Sequence, residues 1–164
     1  MRFAVFYIAL CFSVLAFSQS VDEKLAAQFF DNEEYEKAEY VYKKLYKKNP
    51  KSVYIYENYL NTLLVLKREK DATKLVNRQI SRNSGQLNFQ VDLGYIYLQF
   101  DKKEDAEKYF EKLTRSYTNN RGNVVFLAQS YNRRGLTNES IKALEKGARQ
   151  LGILVFYREL SQAY

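Results

Sequence analysis

A chain of 164 residues with 46 % hydrophobic and 27 % charged residues, one proline and six glycines has the composition of a folded helical protein, not of a disordered one. Histidine is absent and the single cysteine is Cys11, so once the first eighteen residues are removed no thiolate or imidazole remains. That excludes Ser-His and Cys-His catalysis and the usual transition-metal sites, leaving carboxylates, lysines and tyrosines as the available acids and bases. The formal net charge of +7 raises the question of an anionic partner.

The chain opens with a segment unlike the rest. Arg2 supplies a positive start, Phe3 to Phe17 is apolar, and Ala16-Phe17-Ser18 places small residues three before and one before a cut ahead of Gln19. Residues 1–18 therefore read as a cleaved secretory signal. About fifteen apolar residues fall short of the roughly 20 that span a bilayer, which argues against an uncleaved anchor. Lipid attachment at Cys11 is disfavoured, because Leu10 stands where lipoprotein signals carry a small residue.

From Gln19 onward the chain repeats itself every 34 residues. Ala38, Ala72, Ala106 and Ser140 form one column, and Tyr42, Val76, Phe110 and Leu144 follow one helical turn later on the same face. Leu25, Tyr59, Leu93 and Leu127 form a second set, followed by Ala26, Leu60, Gly94 and Ala128 and then by Phe29, Leu63, Tyr97 and Tyr131. Each unit thus holds two amphipathic helices that cannot bury their apolar faces alone and stack on the next copy. The predicted architecture is all-α, a superhelical solenoid of about four helix-turn-helix repeats over residues 19–52, 53–86, 87–120 and 121–152. Residues 153–164 start a further repeat or form a docking helix.

Two passages resemble the tetratricopeptide repeat family. One is Leu25-Ala26 with Phe29, then Tyr35-Glu36-Lys37-Ala38, Tyr42, Leu45 and Pro50; the other is Leu93-Gly94 with Tyr97, then Asp105-Ala106-Glu107, Phe110 and Leu113. The resemblance covers about Gln19 to Gly152. Leu60 and Gln79 depart from it, the closing proline occurs once, and the early tryptophan of the family is absent. In that family the first helices of the repeats line a concave groove, and side chains off the packing columns face the ligand. The resemblance therefore implies a partner-binding groove of Tyr54, Asn58, Asn61, Asn88, Asp92, Tyr95, Gln99, Gln129, Asn132 and Arg133. Amides suit the backbone of an extended peptide, and tyrosine adds contact area at low entropic cost. The family's clamp for chaperone C-terminal carboxylates is not reproduced, since Glu23, Ala27, Gly122 and Phe126 stand at its positions and only Asn58 fits.

Other motifs dissolve on inspection. Gly147 and Gly152 have phosphate-loop spacing, but Ile153 and Leu154 follow where Lys and Ser/Thr are needed. Asn138-Glu139-Ser140 matches a glycosylation acceptor, yet Ser140 belongs to the small-residue packing column. Glu33/Glu34 and Glu104/Asp105 sit near helix starts, where acids complement the dipole. Lys43, Lys44, Lys47, Lys48 and Lys51, and then Lys74, Arg78 and Arg82, sit toward helix ends and are interleaved with acids along the chain, which disfavours nucleic acid.

The register breaks off after Gly152. Ile153-Leu154-Val155-Phe156 with Leu160 reads as another apolar first helix without its partner, which suggests the front of a longer array or a surface that docks elsewhere. The expectation is an exported, periplasmic or envelope-associated and possibly secreted scaffold with a protein or peptide partner. It carries no catalytic residues, metal or cofactor, does not span the membrane in this segment, and leaves contact with envelope components open. The alternatives are the N-terminal sensory or assembly region of a longer envelope protein and, more remotely, an enzyme working through carboxylates.

Overall fold

A computed structural model of the chain describes residues 21–152 and 156–163. The expected signal segment, 1–18, and Ile153 to Val155 lie outside the described residues. Every regular element among the described residues is an α-helix: α1 (21–31), α2 (Tyr35–Lys48), α3 (Val53–Val65), α4 (Glu69–Arg82), α5 (Leu87–Gln99), α6 (Lys103–Tyr117), α7 (Arg121–Arg133), α8 (Thr137–Leu151) and α9 (Tyr157–Ala163). None of them is long and apolar enough to cross a membrane.

The helix starts carry the period read from the sequence. Helices α2, α4, α6 and α8 begin at 35, 69, 103 and 137, and α3, α5 and α7 at 53, 87 and 121. The fold is thus all-α and of the stacked helix-turn-helix class. Ala38, Ala72, Ala106 and Ser140 are all completely buried, and Tyr42, Val76, Phe110 and Leu144 are at most 5 % exposed.

Each first helix ends in the same way. Glu33, Lys67, Asp101 and Gly135, again 34 apart, adopt φ of 61°, 55°, 58° and 70°. The next amide reaches back to the carbonyl of the aromatic or leucine column: Glu34 to Phe29, Arg68 to Leu63, Lys102 to Tyr97 and Leu136 to Tyr131, at 2.8–3.0 Å. The left-handed residue's own amide bonds Phe30, Leu64, Leu98 and Asn132. This double cap satisfies carbonyls that the helix end leaves open and turns the chain into the second helix.

The chain divides into two compact units, with the boundary after Arg68 and therefore inside the expected second repeat. In the first unit α2 packs on α3, with Tyr42, Leu45 and Tyr46 facing a core that includes Ile55, Tyr56, Tyr59 and Leu63. The Tyr46 and Tyr59 rings stand 6.0 Å apart. Ser52 caps α3 by accepting from the Ile55 amide.

The second unit, from Glu69, pairs α4 with α5, α5 with α6 and α7, and α7 with α8. Its main core joins Leu87, Val91, Ala106, Phe110, Leu113, Leu127, Tyr131 and Ala143. Gly94 is required where α5 meets α6, because a Cβ there would overlap the Phe110 ring, with Cδ1 and Cζ at 2.8 Å. Gln79, an amide in an apolar column, is 3 % exposed and its Oε1 accepts from Asn83 Nδ2 at 2.9 Å.

The end of the chain carries a further short helix. Helix α9 starts at Tyr157, and Phe156 is fully buried with Val124, Ala128 and Leu144, while Leu160 packs against the same cluster. The absence of a side chain at Gly147 makes room, since a Cβ there would lie 3.2 Å from Phe156 Cε2 and 2.8 Å from Val124 Cγ1. Arg121 ties α7 to α9 through Glu159 at 2.5 Å.

Candidate partner-binding groove

The groove residues expected from the sequence fall into both units. In the first, Tyr54, Asn58 and Asn61 share α3. Tyr54 is 48 % exposed, and its hydroxyl neighbours Tyr42, whose own phenol is pushed well above its usual pKa first by burial and then by Tyr54. Asn58 Nδ2 donates to the Tyr54 carbonyl at 2.8 Å. Asn58 and Asn61 are half-buried.

In the second unit the expected residues come from α5 and the facing α7. A shallow cavity of about 440 Å³ lies there, lined by Gln86, Asn88, Phe126, Gln129, Ser130 and Arg133. Gln129 and Asn132 are exposed, Asn88, Tyr95 and Gln99 half-buried. The Asn88 side-chain oxygen is buried with no hydrogen-bond partner among the described residues, so it is an acceptor facing away from bulk water.

Asp92 departs from the expectation of a ligand-facing residue. It is fully buried, and its Oδ1 accepts from Arg133 Nη2 at 2.8 Å and from Arg134 Nε at 2.7 Å. Two arginines on one carboxylate draw it beneath the surface and leave the cluster with one net positive charge. Arg134 is 8 % exposed at its side chain and lies over the Tyr95 ring at 5.3 Å. Arg133 keeps a third of its side chain exposed and also approaches the Asn88 carbonyl at 3.5 Å. The outward-facing cation is therefore Arg133, held by Asp92 in a fixed direction.

Side-chain polarity does not single out Phe126, which is 41 % exposed and forms an apolar wall of this cavity. Its signal is nonetheless present: Phe126 stands 34 after Asp92 and 68 after Asn58, in a column already assigned to the groove. Ser130 and Gln86 complete the lining, although the Ser130 hydroxyl is engaged by the Phe126 carbonyl at 2.7 Å.

Neither a family model nor a curated protein matches the sequence. Among solved structures the chain is similar to the crystal structure of MamA, with 18 % identity, a TM-score of 0.48 and 89 % of this chain against 80 % of that one covered. It is also similar to TTC0263, a thermophilic tetratricopeptide repeat protein of Thermus thermophilus, with 16 % identity, a TM-score of 0.47 and coverages of 89 % and 81 %. A third is YrrB, described as a tetratricopeptide repeat protein with an unusual peptide-binding site, at 14 % identity, a TM-score of 0.42 and coverages of 87 % and 78 %.

Proposed function

We propose that this chain is an exported interaction scaffold that binds an extended segment of a partner protein on the exposed side of its first helices. The cavity between α5 and α7 carries the reading, because it combines what a peptide needs: the exposed amide of Gln129, the oriented Arg133 cation and the apolar wall of Phe126, with the exposed Asn132 amide further along α7 and the unpartnered, buried Asn88 Oδ1 beneath them. Backbone amides of a bound strand would be accepted by Gln129 and, once its side chain turns outward, by Asn88, and a side chain of the strand would cover Phe126. Tyr54, Asn58 and Asn61 form the corresponding surface of the first unit. Export to the periplasm or cell envelope is part of the proposal and is supported by residues 1–18.

The test is selection from a displayed random-peptide library, followed by anisotropy titration of the enriched peptides. Affinity is expected to fall at least tenfold, about 1.4 kcal/mol, in a Phe126→Ala/Gln129→Ala variant, whose changes remove no buried contact of the unit's core. Peptides that bind this variant as well as they bind the parent would refute the groove assignment.

A further inference from the structure

The outer face of α4 is unlike that of the other second helices. Lys70, Lys74, Arg78 and Arg82 follow one another at four-residue intervals, with Thr73, Asn77 and Ser81 between them, and these seven residues line one shallow surface depression of about 500 Å³. At 1.5 Å per residue the four cations extend over about 18 Å and turn gradually around the helix. All four are exposed, and none of their side chains makes an ion pair among the described residues.

The contrast with the next second helix is residue by residue. Thirty-four positions on, Lys70 becomes Glu104, Thr73 becomes Glu107 and Asn77 becomes Glu111. There Lys108 pairs with Glu104 at 3.9 Å and Arg115 with Glu111 at 2.6 Å. Helix α8 likewise pairs Lys142 with Glu139 and Arg149 with Glu145. Helix α4 carries acids only in its first turn, at Glu69 and Asp71, and none at the positions of Glu104, Glu107 and Glu111.

Complementing the helix dipole accounts for Arg82, which is in the last turn, but not for Lys70, which is in the first, where positive charge is unfavourable. Like charges four apart on a helix also repel. The row thus costs stability that an anionic partner would recover. None of the seven lining residues is apolar or aromatic. A protein partner would ordinarily need a desolvated anchor, which this face does not offer. A surface whose attraction depends on charge density alone needs none.

We infer that the α4 row is a contact site for a membrane surface rich in anionic phospholipid, separate from the α5–α7 cavity. Lipid is preferred to nucleic acid because the leader at 1–18 directs the chain to and across a membrane; in that respect the choice rests on the export reading, which N-terminal sequencing of the protein recovered from cells tests separately.

The experiment is sedimentation of the full chain with vesicles of phosphatidylcholine containing about one third phosphatidylglycerol, against pure phosphatidylcholine vesicles that report any contribution of the apolar segment 3–17. Each cation near such a surface strengthens partitioning about fivefold, so the variant Lys70→Gln/Lys74→Gln/Arg78→Gln/Arg82→Gln is expected to lose several hundredfold and to match neutral vesicles. The variant Lys43→Gln/Lys44→Gln/Lys47→Gln/Lys48→Gln removes the same charge from α2 and is expected to retain most binding. Thermal melts confirm that both variants fold. The inference is overturned if the parent binds anionic vesicles no better than neutral ones, if both variants lose binding equally, or if the parent binds a DNA duplex but not the vesicles.

Discussion

Arg134 lies against Asp92 with Nε 2.7 Å from Oδ1, and both side chains are nearly or fully removed from water. Arg133 shares the same oxygen from the exposed side. The two arginines are therefore not equivalent: one meets Asp92 in a buried setting, and the other can turn to solvent. Asp92→Ala is expected to destabilise the second unit by about 3–5 kcal/mol, because it strands the Arg134 charge. Arg133→Ala is expected to cost about 1 kcal/mol or less. Urea unfolding of the two variants checks this, and similar costs for both would show that the pairing is not asymmetric.

At Gly94, α5 meets α6 with no room for a side chain. Gly94→Ala forces its methyl into the Phe110 ring and is expected to cost about 1–3 kcal/mol through displaced packing. Adding Phe110→Leu should recover part of that loss, since a smaller side chain vacates the space. A double-mutant cycle by urea denaturation reads the coupling, and additive effects would mean that Gly94 is not held small by Phe110.

Three of the four left-handed caps are not glycine. Lys67→Gly relieves a strained φ of 55° and is expected to stabilise the chain by about 0.5–1 kcal/mol after the added flexibility of the unfolded state is counted. Asp101→Gly should gain less, because aspartate tolerates this conformation better than lysine. Gly135→Ala should lose about 1 kcal/mol. Thermal melts of the three variants give the order directly.

Much of this architecture is legible in the sequence, for a physical reason. The 34-residue columns hold residues that face the interior of their own unit, so their size and polarity are constrained, and the small column from Ala38 to Ser140 is indeed completely buried. The caps are less legible, since only Gly135 carries the residue that a left-handed position favours. The candidate site is the least legible part. Periodicity assigns Asp92 to a polar side of α5, but its burial follows from two arginines that approach from the end of α7, about forty residues away. Phe126 is an apolar side chain in a polar column, so polarity hides it, although its exposure is what makes it useful to a ligand.

Alkaline titration offers an independent view of the second unit's core. Burial raises the phenols of Tyr109 and Tyr131 to about 12, in Tyr131 against an opposing hydrogen bond from Thr114. The folded state therefore holds these protons above the unfolded value of 10, and their contribution is intact below pH 10 and lost between pH 10 and about 12. Phenolate absorbance is expected to rise in two phases, the later coinciding with loss of helical circular dichroism. A Tyr131→Phe variant should have a smaller late phase.

The measurement that bears most directly on the central claim is a two-dimensional NMR titration of side-chain amide groups with a selected peptide. Binding on the first-helix side predicts that the Nδ2 protons of Asn88 and Asn132 and the Nε2 protons of Gln129 shift and saturate together, while those of Asn77 on the outer face of α4 stay in place. Saturable binding that leaves Asn88, Gln129 and Asn132 unmoved would contradict the assignment of the partner site to the cavity between α5 and α7.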